Sequence, residues 1–433
     1  MIYPANFEEK IGFDRIREQV TALCSTPSAK AKLAEEGFST SADEIERRLS
    51  LMNEMRSLLM LERDFPDGDY PDPAPLVAKI RVEGSYLLAA EADQLRKALV
   101  TVGAIAEFIL GRGGARYPRL WELSRRVTLF PEIVRAIDVI LDDRGEVKDS
   151  ASPELQQVRR AIREREGQAA KRLQQVLQRA KQAGIVDADA VLSVRDGRPV
   201  IPVAAANKRK LQGFIHDESA TGRTFYVEPV EVVEINNELK ELEYAERREV
   251  VKVLSTFTES IRPDAEAIAD AGDYLSSVDM IRAKARWALA NDAGKPILST
   301  DDRLELRTAR HPLLQQTLRA QGREVVPLDL ALDRRKHILV ISGPNAGGKS
   351  VCLKTTGLMQ YLFQCGYPVP ASEVSELPVF RSIFIDIGDE QSIDDDLSTY
   401  SSHLRNMKNM LAGASDRTLV LIDEFGSGTE PTI

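Results

Sequence analysis

The stretch Gly343-Pro344-Asn345-Ala346-Gly347-Gly348-Lys349-Ser350 satisfies G-x-x-x-x-G-K-[ST], and its surroundings constrain the fold more than any other part of the chain. The β-branched run Ile338–Ile341 precedes it, and apolar residues at helical spacing follow it: Val351, Leu353, Leu358, Tyr361 and Leu362. Strand, glycine loop and helix in that order predict an α/β layout in which backbone N–H groups turn toward phosphate at a helix N-terminus. Lys349 is placed to reach β- and γ-phosphates and Ser350 to hold Mg²⁺, so ATP and Mg²⁺ are the cofactors this pattern implies. A structural glycine turn is the competing reading.

Two further segments suit the same layout. Thr418-Leu-Val-Leu-Ile-Asp423-Glu424 reads as a buried strand delivering two carboxylates. Beside a phosphate loop, Asp423 would support Mg²⁺ and Glu424 would polarise the attacking water, which favours hydrolysis over storage of nucleotide. Between them, Ile383–Ile385 reads as another strand, and Asp386 to His403 as an acidic, glycine-containing loop passing into a hydroxyl-rich helix start. An N-cap cluster is one reading of that start. The other makes Ser398 and the helix N-terminus an anion sensor for a nucleotide held by a second subunit.

Upstream, apolar residues recur at helical spacing from Phe7 to about Leu141, interrupted by Pro66-Asp67-Gly68 and Gly111 to Gly114, which predicts a helical core over 1–141. Ser152-Pro153 is a suitable N-cap and first-turn pair. From there Leu155, Val158, Ile162, Ala169, Leu173, Val176 and Ala180 hold a narrow heptad-like seam to Gly184. Val232 to Ile261 repeats it, so two arms, about 153–184 and 229–262 within 142–285, can pair as an antiparallel coiled coil of roughly 45 Å. Their tip, 186–228, reads as strands over Val191–Arg195, Val200–Ala204, Leu211–His216 and Thr224–Val227. Arg195, Arg198, Lys208, Arg209, Lys210 and Arg223 make this tip basic in a chain whose net charge is −9. A solvated hairpin is the bland alternative; a phosphate-gripping patch on a stalk is the sharper one.

The remaining composition excludes more than it assigns. Three scattered cysteines, Cys24, Cys352 and Cys365, lack the spacing of a disulfide framework or zinc site. No apolar run approaches the ~18 residues a membrane helix needs, and Met1 to Phe13 lacks a signal-peptide pattern. The expected setting is cytoplasmic, without a membrane partner.

The residues quoted resemble the MutS family, in its type-two branch: Gly343–Ser350, Phe384–His403, Leu419–Pro431, Arg310-His311-Pro312, the tip segments RDGRPVIPV and HDESATGRTFYVEP, and the paired arms. The resemblance implies a helical core and lever arms with a small β clamp tip, followed over 286–433 by an ABC-type P-loop ATPase domain. Carried over by position, Gly343 to Ser350 bind nucleotide, Gln391 lies near the γ-phosphate, Ser398 acts in trans across a homodimer, Asp423 supports Mg²⁺ and Glu424 activates water. The implied cargo is branched DNA bound without sequence preference, with suppression of recombination, or stalled ribosomes to be rescued. Phe7-Glu8-Glu9 matches the Phe-x-Glu spacing of mismatch wedges without a domain around it, and is read as coincidence. Val325-Val326-Pro327 offers no aromatic residue to an adenine.

The family's ATPase domain continues well past Ile433, so this domain is expected to be incomplete, with a sheet gap beside the Asp423 strand that exposes unpaired strand backbone and an uncovered apolar face. No nuclease domain is expected within these residues. A chromosome-tethering ATPase is the alternative function, though its arms are usually far longer; a small-molecule kinase or GTPase would need a lid or an N/T-K-x-D element, which the sequence lacks.

Overall fold

The computed structural model describes residues 1–195, 197–344, 348–387 and 396–423, with the backbone alone over 396–403. The chain opens with a two-residue strand, β1 (Ile2–Tyr3), and then eight helices: α1 (Phe7–Ile11), α2 (Phe13–Ala22), α3 (Pro27–Glu35), α4 (Ala42–Leu61), α5 (Ala74–Ile80), α6 (Ala89–Gly111), α7 (Pro118–Ser124) and α8 (Pro131–Ile140). The long helix α9 (Pro153–Gln182) leads into β2 (Ser193–Arg195), β3 (Arg198–Ala204), β4 (Gly213–Glu218) and β5 (Thr224–Pro229), and α10 (Val230–Ile261) leads away from them. Then come α11 (Ala265–Ala290), β6 (Ile297–Leu298), β7 (Leu304–Ala309), α12 (Pro312–Ala320) and β8 (Leu328–Leu332), followed by α13 (Lys349–Gln364), β9 (Glu376–Leu377), β10 (Ser382–Asp386), α14 (Asp396–Gly413) and β11 (Thr418–Ile422). Two compact units result: residues 1–74, 97–129 and 267–433 form one, and residues 75–96 and 130–266 the other.

In the first unit the N-terminal helices share a core with the α/β segment. Phe7, Ile11, Phe13 and Ile16 are buried with Leu358 and Leu362 of α13, Ile383 and Ile385 of β10, and Leu419 and Leu421 of β11. Tyr361 is the centre of an aromatic cluster, with ring centroids of Phe13, Phe7 and Phe38 at 4.8, 5.1 and 5.7 Å, and its hydroxyl donates to Glu8 at 2.6 Å. Phe7 is 1% exposed. It is a core residue, unavailable as a wedge, which agrees with reading Phe-x-Glu as coincidence.

A buried ionic network ties α3 to α11. Asp279 accepts from the Thr26 N–H (2.8 Å) and hydroxyl (3.0 Å), and from Arg282 Nη2 (2.8 Å). Arg282 also donates to the Gly68 carbonyl and Ser25 hydroxyl, and its guanidinium lies 3.8 Å over the Tyr70 ring. Both Asp279 and Arg282 are fully buried. Thr26 caps α3 through its side chain, so one carboxylate orders a helix start and neutralises a buried cation together.

In the second unit α9 begins at Pro153 because the Ser152 side chain accepts from Leu155 N. Ion pairs Arg159–Glu246, Arg165–Glu238 and Arg179–Glu231 pair rising with falling numbers, so α9 and α10 run antiparallel. The tip is a four-stranded antiparallel sheet in the order β2-β3-β5-β4. Its inner face, Ile201, Val203 and Val227, packs on Leu173, Val176, Leu177 and Ala180 of α9 and Val232 of α10.

Two strand regions depart from expectation. A sheet in the order β6-β9-β7-β8 was not anticipated, since β6 and β9 are two residues each and carry no readable periodicity. The strand expected at Ile338–Ile341 is not formed: these four residues are 37% to 83% exposed and lie outside every described strand. The described sheet runs β1-β10-β11, so among the described residues no ladder partner is available to this run, and β-branched composition alone does not make a strand.

Candidate nucleotide site and tip

β10 and β11 are parallel, with Asp386 opposite Ile422, so their carboxyl ends lie side by side. In open α/β sheets that end is where ligands bind. The Asp423 N–H donates to the Asp386 carbonyl at 2.8 Å, which seats Asp423 directly past the end of β11, and both carboxylates are buried. α13 lies against the sheet at Gly357, where an added Cβ would meet Leu421 Cδ1 at 2.9 Å; glycine is what permits that approach.

α13 begins at Lys349, at the end of the glycine pattern. Gly348 adopts φ 84° at the N-cap, a left-handed conformation that side chains rarely take. Lys349 follows as the first helical residue and folds back to donate from Nζ to the Gly343 carbonyl at 2.6 Å. Ser350 occupies the next position in the first turn. Gly343 and Pro344 are exposed, while Asn345, Ala346 and Gly347 lie outside the described residues. Gln391 and Glu424 also lie outside them, and Ser398 falls in the first turn of α14. The structure therefore brings Gly348, Lys349 and Ser350 to one helix start and Asp423 to one strand end. Val326 is exposed between α12 and β8.

His311, just before α12, is neutral near physiological pH. Burial lowers its pKa to about 4, against a raising contribution from a backbone hydrogen bond with Ile11. Burial raises all three thiols, Cys24 and Cys365 to about 12, so no cysteine supplies a thiolate nucleophile near neutrality. No group of metal-ligating side chains of the His, Cys, Asp and Glu kind is assembled among the described residues, and no described helix is long and apolar enough to cross a membrane.

At the tip the six predicted cations separate by environment. Arg195 pairs with Asp217 at 2.9 Å and stacks 3.9 Å over Tyr226. Arg198 pairs with Glu228 at 2.9 Å. Lys208 sits 4.2 Å over the Phe225 ring. Arg209, Lys210 and Arg223 are exposed. Sequence reading missed Glu228, buried at the β5–α10 junction, where it accepts from Asn236 and Arg198 and lies 2.6 Å from His216 Nε2. Burial opposes its ionisation, but these bonds outweigh that and hold its pKa below the usual carboxylate range.

A helix opened by Gly348 beside parallel strands with an acid at their carboxyl end is an α/β arrangement, and residues 339–432 match the family model described as MutS domain V. Over 421 residues the chain is 35% identical to "Endonuclease MutS2" of Bacillus velezensis, covering 97% of this chain and 53% of that protein. Proteins of the same name from Pelotomaculum thermopropionicum and Thermomicrobium roseum are 35% and 36% identical over 423 and 432 residues, covering 98% and 97% of this chain and 53% of each. Nearly the whole chain is thus similar to the type-two branch of the MutS family. It spans about half the length of these relatives.

Proposed function

We propose that the chain carries the ATP-binding part of a clamp that grips a phosphate-rich polymer, DNA bound without sequence preference or the RNA of a ribosome, and that ATP turnover opens and closes it. The observation that carries this reading is the start of α13, where Gly348 at positive φ is followed by Lys349 and Ser350 at the head of a helix beside the Asp423 strand end. Lys349 would bind β- and γ-phosphate oxygens, and Ser350 with Asp423 would hold Mg²⁺, which neutralises charge on the transferring phosphoryl group. Glu424 would orient and deprotonate water, Gln391 would lie near the γ-phosphate, and Ser398 would act on the nucleotide of a second copy in a homodimer. The relatives are named endonucleases; we assign no cleavage chemistry to these residues. Suppression of recombination and rescue of stalled ribosomes are the two processes such a clamp would serve.

Nucleotide titration tests the reading. Lys349→Ala is expected to weaken ATP binding by roughly 10- to 100-fold, the loss of charge-assisted phosphate bonds; equal affinity in the variant would remove the loop from the site. For the tip, Arg209→Glu, Lys210→Glu and Arg223→Glu together should weaken duplex binding at low salt. The slope of log affinity against log salt should flatten by about 0.9 for each phosphate that is no longer neutralised. Unchanged affinity and slope would exclude the tip from gripping.

A further inference from the structure

The first residues of the chain are tied to the end of the sheet and to α14 by a short chain of directed bonds. β1 pairs parallel with β10, Ile2 opposite Ile383 and Tyr3 opposite Phe384. The Met1 amino group donates to the Arg381 carbonyl at 2.7 Å, and the Ile383 N–H donates to the Met1 carbonyl at 3.1 Å. The Tyr3 ring stands edge-on to Phe384, 6.2 Å between centroids. Its hydroxyl donates to Asn406 Oδ1 at 2.6 Å and accepts from Asn409 Nδ2 at 3.1 Å. Asn406 Nδ2 donates onward to Asp386 Oδ1 at 2.8 Å, and the Asp386 carbonyl accepts the Asp423 N–H at 2.8 Å. Nearby, Lys10 Nζ donates to the Ile387 carbonyl at 2.7 Å, at the far end of the same strand.

These linked bonds join three things that the ATPase reading needs held in register: the Asp423 strand end, the strand end leading toward Gln391, and the helix whose first turn carries Ser398. Asn406 lies ten residues along α14 from Asp396, roughly 15 Å along its axis. A helix transmits position along its axis, so anchoring its middle turns to Asp386 and Tyr3 sets where its first turn stands. Register on the Asp386 side is set twice, once by strand pairing and once by side chains. The side-chain bonds do not maintain the sheet, because the β1–β10 ladder and the Tyr3–Phe384 ring packing need no hydroxyl.

We infer that Tyr3, acting through Asn406 and Asp386, is a positioning residue for α14 and hence for ATP turnover, without itself touching nucleotide. The role rests on the ATPase reading above. It makes Tyr3 a support for a site more than 300 residues away in sequence.

The test compares the full chain with Tyr3→Phe, Asn406→Ala and the double variant, measuring hydrogen exchange of the α14 amides and steady-state ATP turnover on the same preparations. Tyr3→Phe keeps the ring and the strand pairing. It should speed exchange in α14 while β10 and β11 stay protected, and lower kcat by about 2- to 10-fold at near-constant KM, the rate equivalent of one hydrogen bond. The double variant should match Asn406→Ala alone, because both substitutions break one network. Wild-type α14 exchange in Tyr3→Phe overturns the tether, and faster exchange with unchanged kcat overturns the positioning role. An unmutated chain that binds no ATP in a direct titration overturns the ATPase reading and this role with it, an outcome separate from both.

Discussion

Glu424→Gln is expected to slow ATP turnover by roughly 10²–10⁴-fold, the usual contribution of a positioned general base, while ATP binding stays near wild type. In sequence Glu424 follows Asp423, whose N–H donates to the Asp386 carbonyl at the end of β11. The amide keeps the size of the carboxylate but loses its negative charge and its capacity to take a proton from water. Phosphate release and nucleotide titration on the same variant separate chemistry from binding. Undiminished phosphate release would reassign the base.

The second large effect concerns stability. Asp279→Ala should destabilise the first unit by about 3–5 kcal/mol, the cost of stranding a buried charge. Arg282 would remain fully buried without its carboxylate, and Thr26 would lose the acceptor for both its N–H and hydroxyl. Trp121 and Trp287, the chain's two tryptophans, both lie in that unit, so urea unfolding followed by tryptophan fluorescence reports on it selectively. Asp279→Ala combined with Arg282→Met should lose less than Asp279→Ala alone, since no unpaired cation is left. A shift below about 1 kcal/mol in the single variant would show that Asp67, 3.3 Å from Arg282, suffices as its counter-ion.

What could be read from the residues divides along the range of the interaction. The Ser152 cap, the spans of α9 and α10 and the strands β3, β5, β10 and β11 were legible within a residue or two, because capping and periodicity are local. The Lys349–Ser350 helix start was legible for the same reason. Run Ile338–Ile341 carries a strand composition, yet a strand also needs a neighbour, and no local pattern reports whether one is present. Two-residue β1 was invisible because its whole identity comes from a ladder with residues about 380 positions later. The tip cations were legible as charge but not as partners: Arg198 and Glu228 look alike in sequence to any exposed pair, and only the fold shows that this carboxylate is buried at the junction of sheet and stalk.

The pairing of β1 with β10 also sets a timetable for synthesis. Residues 75–96 and 130–266 have all of their own unit once residue 266 has emerged, whereas the core around Phe7, Phe13 and Ile16 is completed only after α13, β10 and β11 have been made. At about 5–20 residues per second, the N-terminal helices wait roughly 20–75 s with that core only partly covered. Closing a loop of this size adds only a logarithmic entropy cost, so the delay threatens yield far more than final stability. Nascent chains of this protein should accordingly depend on holdase chaperones until residue 423 has cleared the exit tunnel, and slow codons before that point lengthen the period of risk.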